Sequence, residues 1–555
     1  MIVDCRKELQ SRIINQPSKI ENRSSRFRTD WILLAGFCAF LFFYGLAYFG
    51  LVGADEPRYA QIAREMLARG DWITPVLGGK PWLEKPPLYY WQAMLAYSVF
   101  GVSEWAARLP SAIDATLMVI AIYFFRRKSR LGLHLDGALM CASSAGVIGF
   151  ARAASTDMPL AAMFTLAMLA WYAWYEGSSA RYLAASYVFI ALATLAKGPV
   201  APFLALVIIG LFTAVKKDYI LLRRTLWIPG IVLCGAVTFP WFVAVQIRNP
   251  EFFRIFILQH NLARFGSNLY HHKEPFWYFV PVTLLALIPW VVLACASLTQ
   301  TVRGWWTRRQ EVLQSDDALN VFLAIWLLVP VIFFSISQSK LPGYILPAVP
   351  AGVLLAAEYA RRHLNDNDRR GVVVVMLHSI VATAPLTLAL MIQYLVLQHR
   401  LPWGRAAGIS FGLASILAIG LALTLLSRVG WGGLRFTLVP VALGVAAVLR
   451  LGSPSLDATL SARPVANEIS ALERKRLPLA VFHVARDLEF GLAFYRNQVI
   501  ERYESGEIPP TDHLLVAPEG MQVEIAKQVQ GRRVSYLGSF APQGLDYYWV
   551  AGKSR

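Results

Sequence analysis

Charged residues are scarce in this chain of 555 residues, since aspartate, glutamate, lysine and arginine together make up 16% of it. Hydrophobic residues make up 56%. This balance excludes an ordinary soluble protein and is typical of a polytopic α-helical membrane protein. Cysteine is scarce as well. The five cysteines lie in the N-terminal tail or in apolar segments, so no structural disulfide is expected.

The sequence also lacks a nucleotide-binding loop, because the glycines at Gly78–Lys80 do not have the P-loop spacing. The formal net charge of +18 does not indicate nucleic-acid binding. The basic residues form short clusters between apolar runs, which is the pattern of cytoplasmic membrane loops. Neither ATP nor nucleic acid is therefore an expected partner. The first apolar run has no convincing cleavage site after it and is predicted to be a retained helix.

Basic clusters define the predicted topology. The basic tail, residues 1–30, is expected in the cytoplasm, and spans counted at about 20 apolar residues each give thirteen helices within residues 31–451. The apolar stretch 88–100 is placed in an outer first loop of about residues 52–108, because it is short and follows two prolines. Residues 452–555 lose the long apolar runs and are predicted to form a small α/β domain outside the membrane. Its four strand-like stretches are LPLAVFHV (477–484), DHLLVAP (512–518), RRVSYLG (532–538) and DYYWVAG (546–552).

An amphipathic helix is predicted after the first span, from Asp55 to the residue before Gly70. Its apolar residues fall on one side at helical spacing, as expected of a helix that lies flat on a bilayer. Asp55 is either the N-cap of this helix or a catalytic carboxylate, and the two roles are compatible. Asp157, which precedes Met158 and Pro159, has the same two interpretations.

This topology brings four polar clusters to one face of the membrane. Several ionisable groups that meet at the mouth of a helical bundle indicate a functional site. Arginine and lysine there suit a phosphate, although each alone could be an interfacial cation. The carboxylates can serve as general base or stabilise positive charge on a sugar. The clusters comprise Asp55, Glu56, Arg58, Tyr59, Glu84 and Lys85 in the first loop, Asp157, the loop with His260, Arg264, His271 and His272, and the loop with Lys340 and Tyr344.

A metal site is a weaker alternative for part of this face. Glu84 with His260, His271 or His272 offers carboxylate and imidazole ligands that suit several divalent ions. The spacing is not diagnostic, and hydrogen-bonded interface histidines are the competing interpretation. No cofactor is expected to be required, and a divalent metal remains an alternative.

A set of motifs carries a resemblance to a known family. They are DEPRYAQIAREML (55–67), WLEKPPLYYW (82–91), ARLPS (107–111), STDMPL (155–160), LAKGP (195–199), HNLARF (260–265) and SKLPGYILP (339–347). In this order the chain resembles the bacterial 4-amino-4-deoxy-L-arabinose lipid A transferases, which belong to the GT-C membrane glycosyltransferases. The resemblance covers most of residues 30–360, and its motifs are specific as a set.

The resemblance implies a GT-C-like fold and an inverting transfer of aminoarabinose from undecaprenyl phosphate to a lipid A phosphate. It places the site on the periplasmic face of the bacterial inner membrane, in a monomer surrounded by membrane lipid, and implies resistance to cationic peptides such as polymyxin. By carry-over, Asp55 and Asp157 would be the catalytic acids. Arg58, Lys85, Tyr344 and Lys340 would bind the donor phosphate, with Glu56, Tyr59, Arg264 and His260 in support.

Two alternatives remain at this stage. One keeps the fold and changes the acceptor to a protein hydroxyl or another glycan. The other is a transporter of lipid-linked sugar, suggested by the number of spans. Transporters usually carry ionisable groups near the midplane and often show internal repeats, and the sequence has neither feature.

Overall fold

The computed structural model describes residues 27–128, 133–263, 274–307, 315–363, 369–396, 403–427, 430–506 and 508–553. Helices dominate this part of the chain up to residue 472. In chain order they are α1 (residues 27–43, ending in the π-helical turn Ala39–Phe43), α2 (Asp55–Arg69), α3 (Leu88–Phe100), α4 (Glu104–Lys128), α5 (His134–Ala142), α6 (Ala145–Ala151), α7 (Asp157–Gly177), α8 (Ala180–Lys197), α9 (Val200–Lys216), α10 (Tyr219–Thr225), α11 (Ile228–Arg248), the π-helical α12 (Phe253–Ala263), α13 (Phe279–Ala286), α14 (Val291–Thr307), α15 (Ser315–Ile336), the 3₁₀ turn Pro342–Ala348, α16 (Val349–Arg362), α17 (Arg369–Val396), α18 (Trp403–Leu426), the 3₁₀ turn Gly430–Thr437, α19 (Leu438–Ala447), the π turn Val448–Gly452, α20 (Ser453–Leu460) and α21 (Arg463–Leu472).

Six helical stretches within the described residues are long and apolar enough to cross a membrane. A seventh is added if α13 and α14, which meet at an angle of 117°, count as one broken span. The predicted number of thirteen spans is not reproduced by this count and stays a prediction. The sequence predicts one third span near residues 133–150, whereas the structure has two helices, α5 and α6, with a break at Ser143 and Ser144. Helix α3 has 13 residues, and its placement in the outer first loop stays a prediction.

Hydropathy predicts a first span over about residues 31–51, and the helix in the structure is shorter. Helical structure ends at Phe43, and Gly45 has a positive φ of 67°. Two arginines stabilise this early end because they bind the carbonyls that the helix leaves unpaired. Arg152 donates to the carbonyls of Leu41 and Gly45, both at 3.0 Å.

The second of these arginines belongs to a buried ion pair that joins the chain around the start of α2. Arg108 of α4 donates to the carbonyls of residues 46, 49 and 50 and contacts both carboxylate oxygens of Glu56, at 2.7 and 3.1 Å. Glu56 also accepts from the backbone N–H groups of Val52 (2.9 Å) and Ala154 (2.7 Å). Both side chains are almost fully buried. This ion pair therefore fixes α2, α4 and the segment before α7 relative to one another.

The C-terminal part is an α/β unit, as predicted. After the short hairpin β1 (Val76–Leu77) and β2 (Lys80–Pro81) of the first loop, its elements are β3 (Leu479–Val481), α22 (Arg486–Arg496), β4 (Glu501–Arg502), β5 (His513–Pro518), α23 (Gln522–Gln528), β6 (Val534–Phe540) and β7 (Leu545–Val550). The sheet has the strand order β4-β3-β5-β7-β6, with β3 parallel to β4 and β5 and the other pairs antiparallel. Helices α21 and α22 cover one face of the sheet and α23 covers the other. All four predicted strands are confirmed, and the two-residue β4 was not predicted.

The limits predicted for the three regions, 1–30, 31–451 and 452–555, stay predictions. The apolar helical stretch Gly433–Leu460 runs past residue 452, and the sheet begins at Leu479.

Candidate functional site

Helix α2 presents an acid–base pair on its first turn. The helix forms as predicted, since Tyr59, Ile62, Ala63 and Met66 are buried along one face and Gly70 ends it in the left-handed conformation with φ 63°. Asp55 and Arg58, three residues apart, form an ion pair. The Asp55 side chain is 50% exposed and that of Arg58 is 12% exposed. The carboxylate is therefore open to a ligand, whereas the guanidinium is held inside the protein.

Aromatic rings enclose the Arg58 guanidinium. Its central carbon lies 5.2 Å from the ring centre of Tyr59, 5.3 Å from that of Trp82 and 5.6 Å from that of Phe490. The cation is attracted to the faces of such rings, and the attraction is stronger where water is excluded. Glu84 lies 4.0 Å from a terminal nitrogen of Arg58. The guanidinium is therefore fixed by three rings and two carboxylates.

Three buried hydrogen-bond donors near this guanidinium have no acceptor among the described residues. They are the Arg58 Nε, the Trp82 indole N–H and the Tyr90 hydroxyl. The centre of the Tyr90 ring lies 6.2 Å from the centre of the Tyr59 ring. A buried donor without a partner costs about 1–3 kcal/mol, so a group of them indicates a place where ligand oxygens bind.

A second ion pair lies at the start of α7. Asp157, the first residue of α7, pairs with Lys197 at the end of α8 and accepts a hydrogen bond from Ser155 at 3.0 Å. The Lys197 ammonium lies 4.6 Å from the ring centre of Tyr344. Gly343 has no space for a side chain, because an added Cβ would come within 2.6 Å of the Asp157 carboxyl carbon. Glycine at this position therefore permits the close approach of the two loops.

The pKa of Tyr59 depends on charges from both ion pairs, Asp55–Arg58 and Asp157–Lys197, through Asp55, Arg58 and Asp157. Burial raises the pKa of Tyr59 well above its ordinary value, and the charges of Asp55 and Asp157 raise it further, against the opposing charge of Arg58. One phenol is thus influenced by both carboxylates. The roles of Asp55 and Asp157 as the two catalytic acids of one site stay predictions.

The N-cap interpretation is wrong for both acids. The N-caps are Ala54 for α2 and Thr156 for α7, and neither helix has a side-chain cap hydrogen bond. The carboxylates of Asp55 and Asp157 pair with Arg58 and Lys197 instead, because an ion pair with a nearby cation is available to each.

The two lysines predicted to bind phosphate, Lys85 and Lys340, differ in their exposure to solvent. Lys85 is half-buried in the loop that carries Trp82 and Glu84. Lys340 is buried, and its ammonium donates to the Ser337 carbonyl at 2.7 Å. The Pro342–Gly343 turn predicts Lys340 beside Tyr344, whereas the ammonium over the Tyr344 ring is that of Lys197.

The histidine-rich loop is described only in part. The His260 side chain is 8% exposed, and its Nε2 lies 3.9 Å from a Glu84 carboxylate oxygen; its supporting role stays a prediction. Arg264, His271 and His272 lie outside the described residues. Within the described ranges, no group of three or more His, Cys, Asp and Glu side chains is arranged to hold a metal ion. A metal at Glu84, His271 and His272 therefore stays a prediction.

Sequence reasoning missed three side chains of this region. Lys197 could have been found in the LAKGP motif, which places a lysine at a helix end before Gly198 and Pro199. Arg108, in ARLPS, binds Glu56 and holds it away from the open side of the site. Phe490 carried no signal, because it lies in a domain with no recognised role.

The arrangement can bind an anion and stabilise a cation side by side. Arg58 and Lys197 supply positive charge, while Asp55 supplies an exposed carboxylate. A group-transfer reaction that expels a phosphate from a sugar carbon needs both, since negative charge grows on the leaving group while positive charge grows on the sugar.

Similarity to known proteins agrees with this geometry. The family profile described as dolichyl-phosphate-mannose-protein mannosyltransferase matches residues 31–256. An undecaprenyl phosphate-α-4-amino-4-deoxy-L-arabinose arabinosyl transferase of Pseudomonas savastanoi is 31% identical over 411 residues, which are 72% of this chain and 73% of the relative. The protein of that description from Serratia proteamaculans is 32% identical over 341 residues, and this match covers 59% of each chain.

Solved structures share the fold. The crystal structure of ArnT from Cupriavidus metallidurans bound to undecaprenyl phosphate superposes with a TM-score of 0.73 at 23% identity, covering 94% of this chain and 99% of that one. The apo structure of that protein gives a TM-score of 0.71. The predicted fold class, a polytopic GT-C-like helical protein with a small C-terminal α/β domain, is thereby confirmed.

Proposed function

Because the chain belongs to the family of undecaprenyl phosphate-α-4-amino-4-deoxy-L-arabinose arabinosyl transferases, we propose that it transfers 4-amino-4-deoxy-L-arabinose from undecaprenyl phosphate to a phosphate of lipid A. The reaction takes place at the periplasmic face of the inner membrane and confers resistance to polymyxin. The protein acts as a monomer without a required cofactor. Both substrates are lipids, which suits a site at the membrane surface.

The chemistry is a single inverting displacement. An oxygen of the acceptor phosphate forms a bond to the anomeric carbon, the bond from that carbon to the donor phosphate oxygen breaks, and its electron pair leaves with undecaprenyl phosphate. The acceptor phosphate is already largely ionised near neutral pH, so Asp55 orients it or removes its last proton. Arg58 and Lys85 neutralise the growing charge of the leaving phosphate.

One observation carries the proposal. The exposed Asp55 carboxylate lies beside Arg58. The Arg58 Nε and two neighbouring donors, the Trp82 indole N–H and the Tyr90 hydroxyl, are buried and have no acceptor in the described ranges. Phosphate oxygens would satisfy these donors, and the sugar carbon attached to that phosphate would then lie on the Asp55 side.

The direct test uses the purified chain with undecaprenyl-phosphate-aminoarabinose and lipid A. Mass spectrometry should detect one added aminoarabinose per modified phosphate. An unchanged lipid A spectrum from this reaction, and from cells grown with and without the protein under inducing conditions, would remove the lipid A assignment.

A protein hydroxyl is the second candidate acceptor, since residues 31–256 match a protein mannosyltransferase family. The two acceptors predict different products from one donor. Glycosylated protein with unmodified lipid A would favour this alternative, whereas movement of the lipid-linked sugar across liposomes with no glycosidic bond broken would favour a transporter.

Lys197→Met is expected to lower kcat about 10- to 100-fold, because the variant loses a cation that the Asp157 carboxylate holds beside Tyr344. Lys197→Arg should recover part of the rate. Lys216→Met is the matched control: Lys216 ends α9 as Lys197 ends α8 and contacts the ring of Tyr175 at 4.7 Å. Equal losses in both variants would argue for a structural role of Lys197.

Tyr90→Phe is expected to weaken binding of undecaprenyl phosphate about five- to tenfold while the unliganded protein becomes more stable. The Tyr90 hydroxyl has no acceptor among the described residues, so its removal relieves a buried unpaired group. Tyr89→Phe is the control, since the equally buried Tyr89 hydroxyl donates to the Ala107 carbonyl at 2.8 Å. That variant should lose stability and keep its affinity. Unchanged affinity in Tyr90→Phe would contradict the prediction.

A further inference from the structure

The C-terminal domain reaches the enclosure of Arg58 through a single helix. Helix α22 packs on α2 and is fixed there at its end by two hydrogen bonds. Arg64 donates to the Phe494 carbonyl at 3.0 Å, and the Tyr495 hydroxyl accepts from the Leu51 N–H at 2.8 Å. The two domains are thus joined directly behind the acid–base pair of α2.

Phe490 lies one helical turn before Phe494 and therefore on the same side of α22. Its ring is 9% exposed, lies 5.6 Å from the Arg58 guanidinium carbon and meets the Trp82 ring edge-on at 6.4 Å. The other two rings around Arg58 come from α2 and the first loop. The third comes from the opposite end of the chain.

We propose that Phe490 is a positioning residue for the donor phosphate and that the C-terminal domain is thereby part of the catalytic site. The inference rests on the proposed function, in which Arg58 binds that phosphate. Phe490 does this through Arg58. Its ring covers one face of the guanidinium, excludes water and holds the plane in which Arg58 meets Asp55 and Glu84.

Two alternatives fit the contacts less well. A purely structural Phe490 would pack in the core of its own domain, whereas its ring contacts lie with Arg58 and Trp82 of the first loop. A separate site on the C-terminal domain would require a ligand pocket apart from α2, whereas α22 places this ring against the cation already assigned to the donor.

The experiment compares Phe490→Leu with Phe490→Tyr in the full-length protein. The leucine keeps apolar bulk and removes the ring face, and the tyrosine retains the ring. Phe540→Leu is the matched control, because Phe540 has the same 9% exposure and lies in the core of the same domain. The readouts are the Kd for undecaprenyl phosphate and the rate at which phenylglyoxal modifies Arg58, followed by peptide mass spectrometry.

Phe490→Leu should raise the Kd about three- to tenfold and accelerate modification of Arg58, while Phe490→Tyr and Phe540→Leu remain near wild type in both. Wild-type affinity and protection in Phe490→Leu would overturn the inference, as would an equal loss in Phe540→Leu. Wild-type protein that binds undecaprenyl phosphate but transfers no sugar would contradict the proposed function alone. The phenylglyoxal measurement needs no substrate, so it tests the role of Phe490 separately.

Discussion

Asp55→Asn should lower kcat for sugar transfer by about 10²- to 10⁴-fold, the range expected when a positioned acid–base group is lost. Asparagine keeps the size of the side chain and can accept a hydrogen bond from Arg58, so donor affinity should change little. The loss falls on kcat because the negative charge acts on the acceptor phosphate and on the developing positive charge of the sugar. Single-turnover kinetics with saturating undecaprenyl-phosphate-aminoarabinose measure it.

Glu251→Gln is the control for this substitution. Glu251 pairs with Arg254 three residues later, as Asp55 pairs with Arg58, but the side chains of Glu251 and Arg254 are both about 60% exposed. Removal of such an exposed pair should leave the rate unchanged. Full activity in Asp55→Asn would exclude Asp55 as the catalytic carboxylate.

Arg108→Leu should reduce the free energy of unfolding by about 3–5 kcal/mol, because it leaves the Glu56 carboxylate buried without its cation. It also frees the carbonyls of residues 46, 49 and 50, which the guanidinium binds at 2.6–2.9 Å. Thermal or denaturant unfolding in detergent measures the effect, and the loss of transferase activity should follow the loss of folded protein.

Two further variants separate this role from general disturbance. Arg254→Leu breaks the pair with Glu251, in which both side chains are about 60% exposed, and should cost less than about 1 kcal/mol. The double variant Arg108→Leu with Glu56→Leu should recover only part of the loss, since backbone groups remain unpaired. If Arg108→Leu is as stable as Arg254→Leu, the buried pair does not hold these helices together.

Local patterns explain the parts of the fold that were predicted correctly. The spacing of Tyr59, Ile62, Ala63 and Met66 and the stop at Gly70 define α2, and alternating or continuous apolar runs define the four strands of the C-terminal sheet. Charge bias brought the polar loops to one face, and the contact of Glu84 with His260 and of Lys197 with Tyr344 agree with that arrangement.

The misses depend on partners that are distant in the sequence. An aspartate before a helix is typical of an N-cap, but Asp157 forms an ion pair with Lys197, which lies on another helix. The first span was predicted too long, because hydropathy does not register that Arg108 and Arg152 bind carbonyls in its last turn and in the segment after it. Phe490 near Arg58 follows from the docking of two domains, which no local pattern encodes.

The contact between α2 and α22 can form only late in biosynthesis. A chain is made from its N-terminus, so Arg58 is in place with Tyr59 and Trp82 long before Phe490 has been synthesised. Its third aromatic wall is added only when the last domain has folded onto α2. In a nascent chain, or in one truncated before residue 490, the Arg58 guanidinium therefore lacks this third ring.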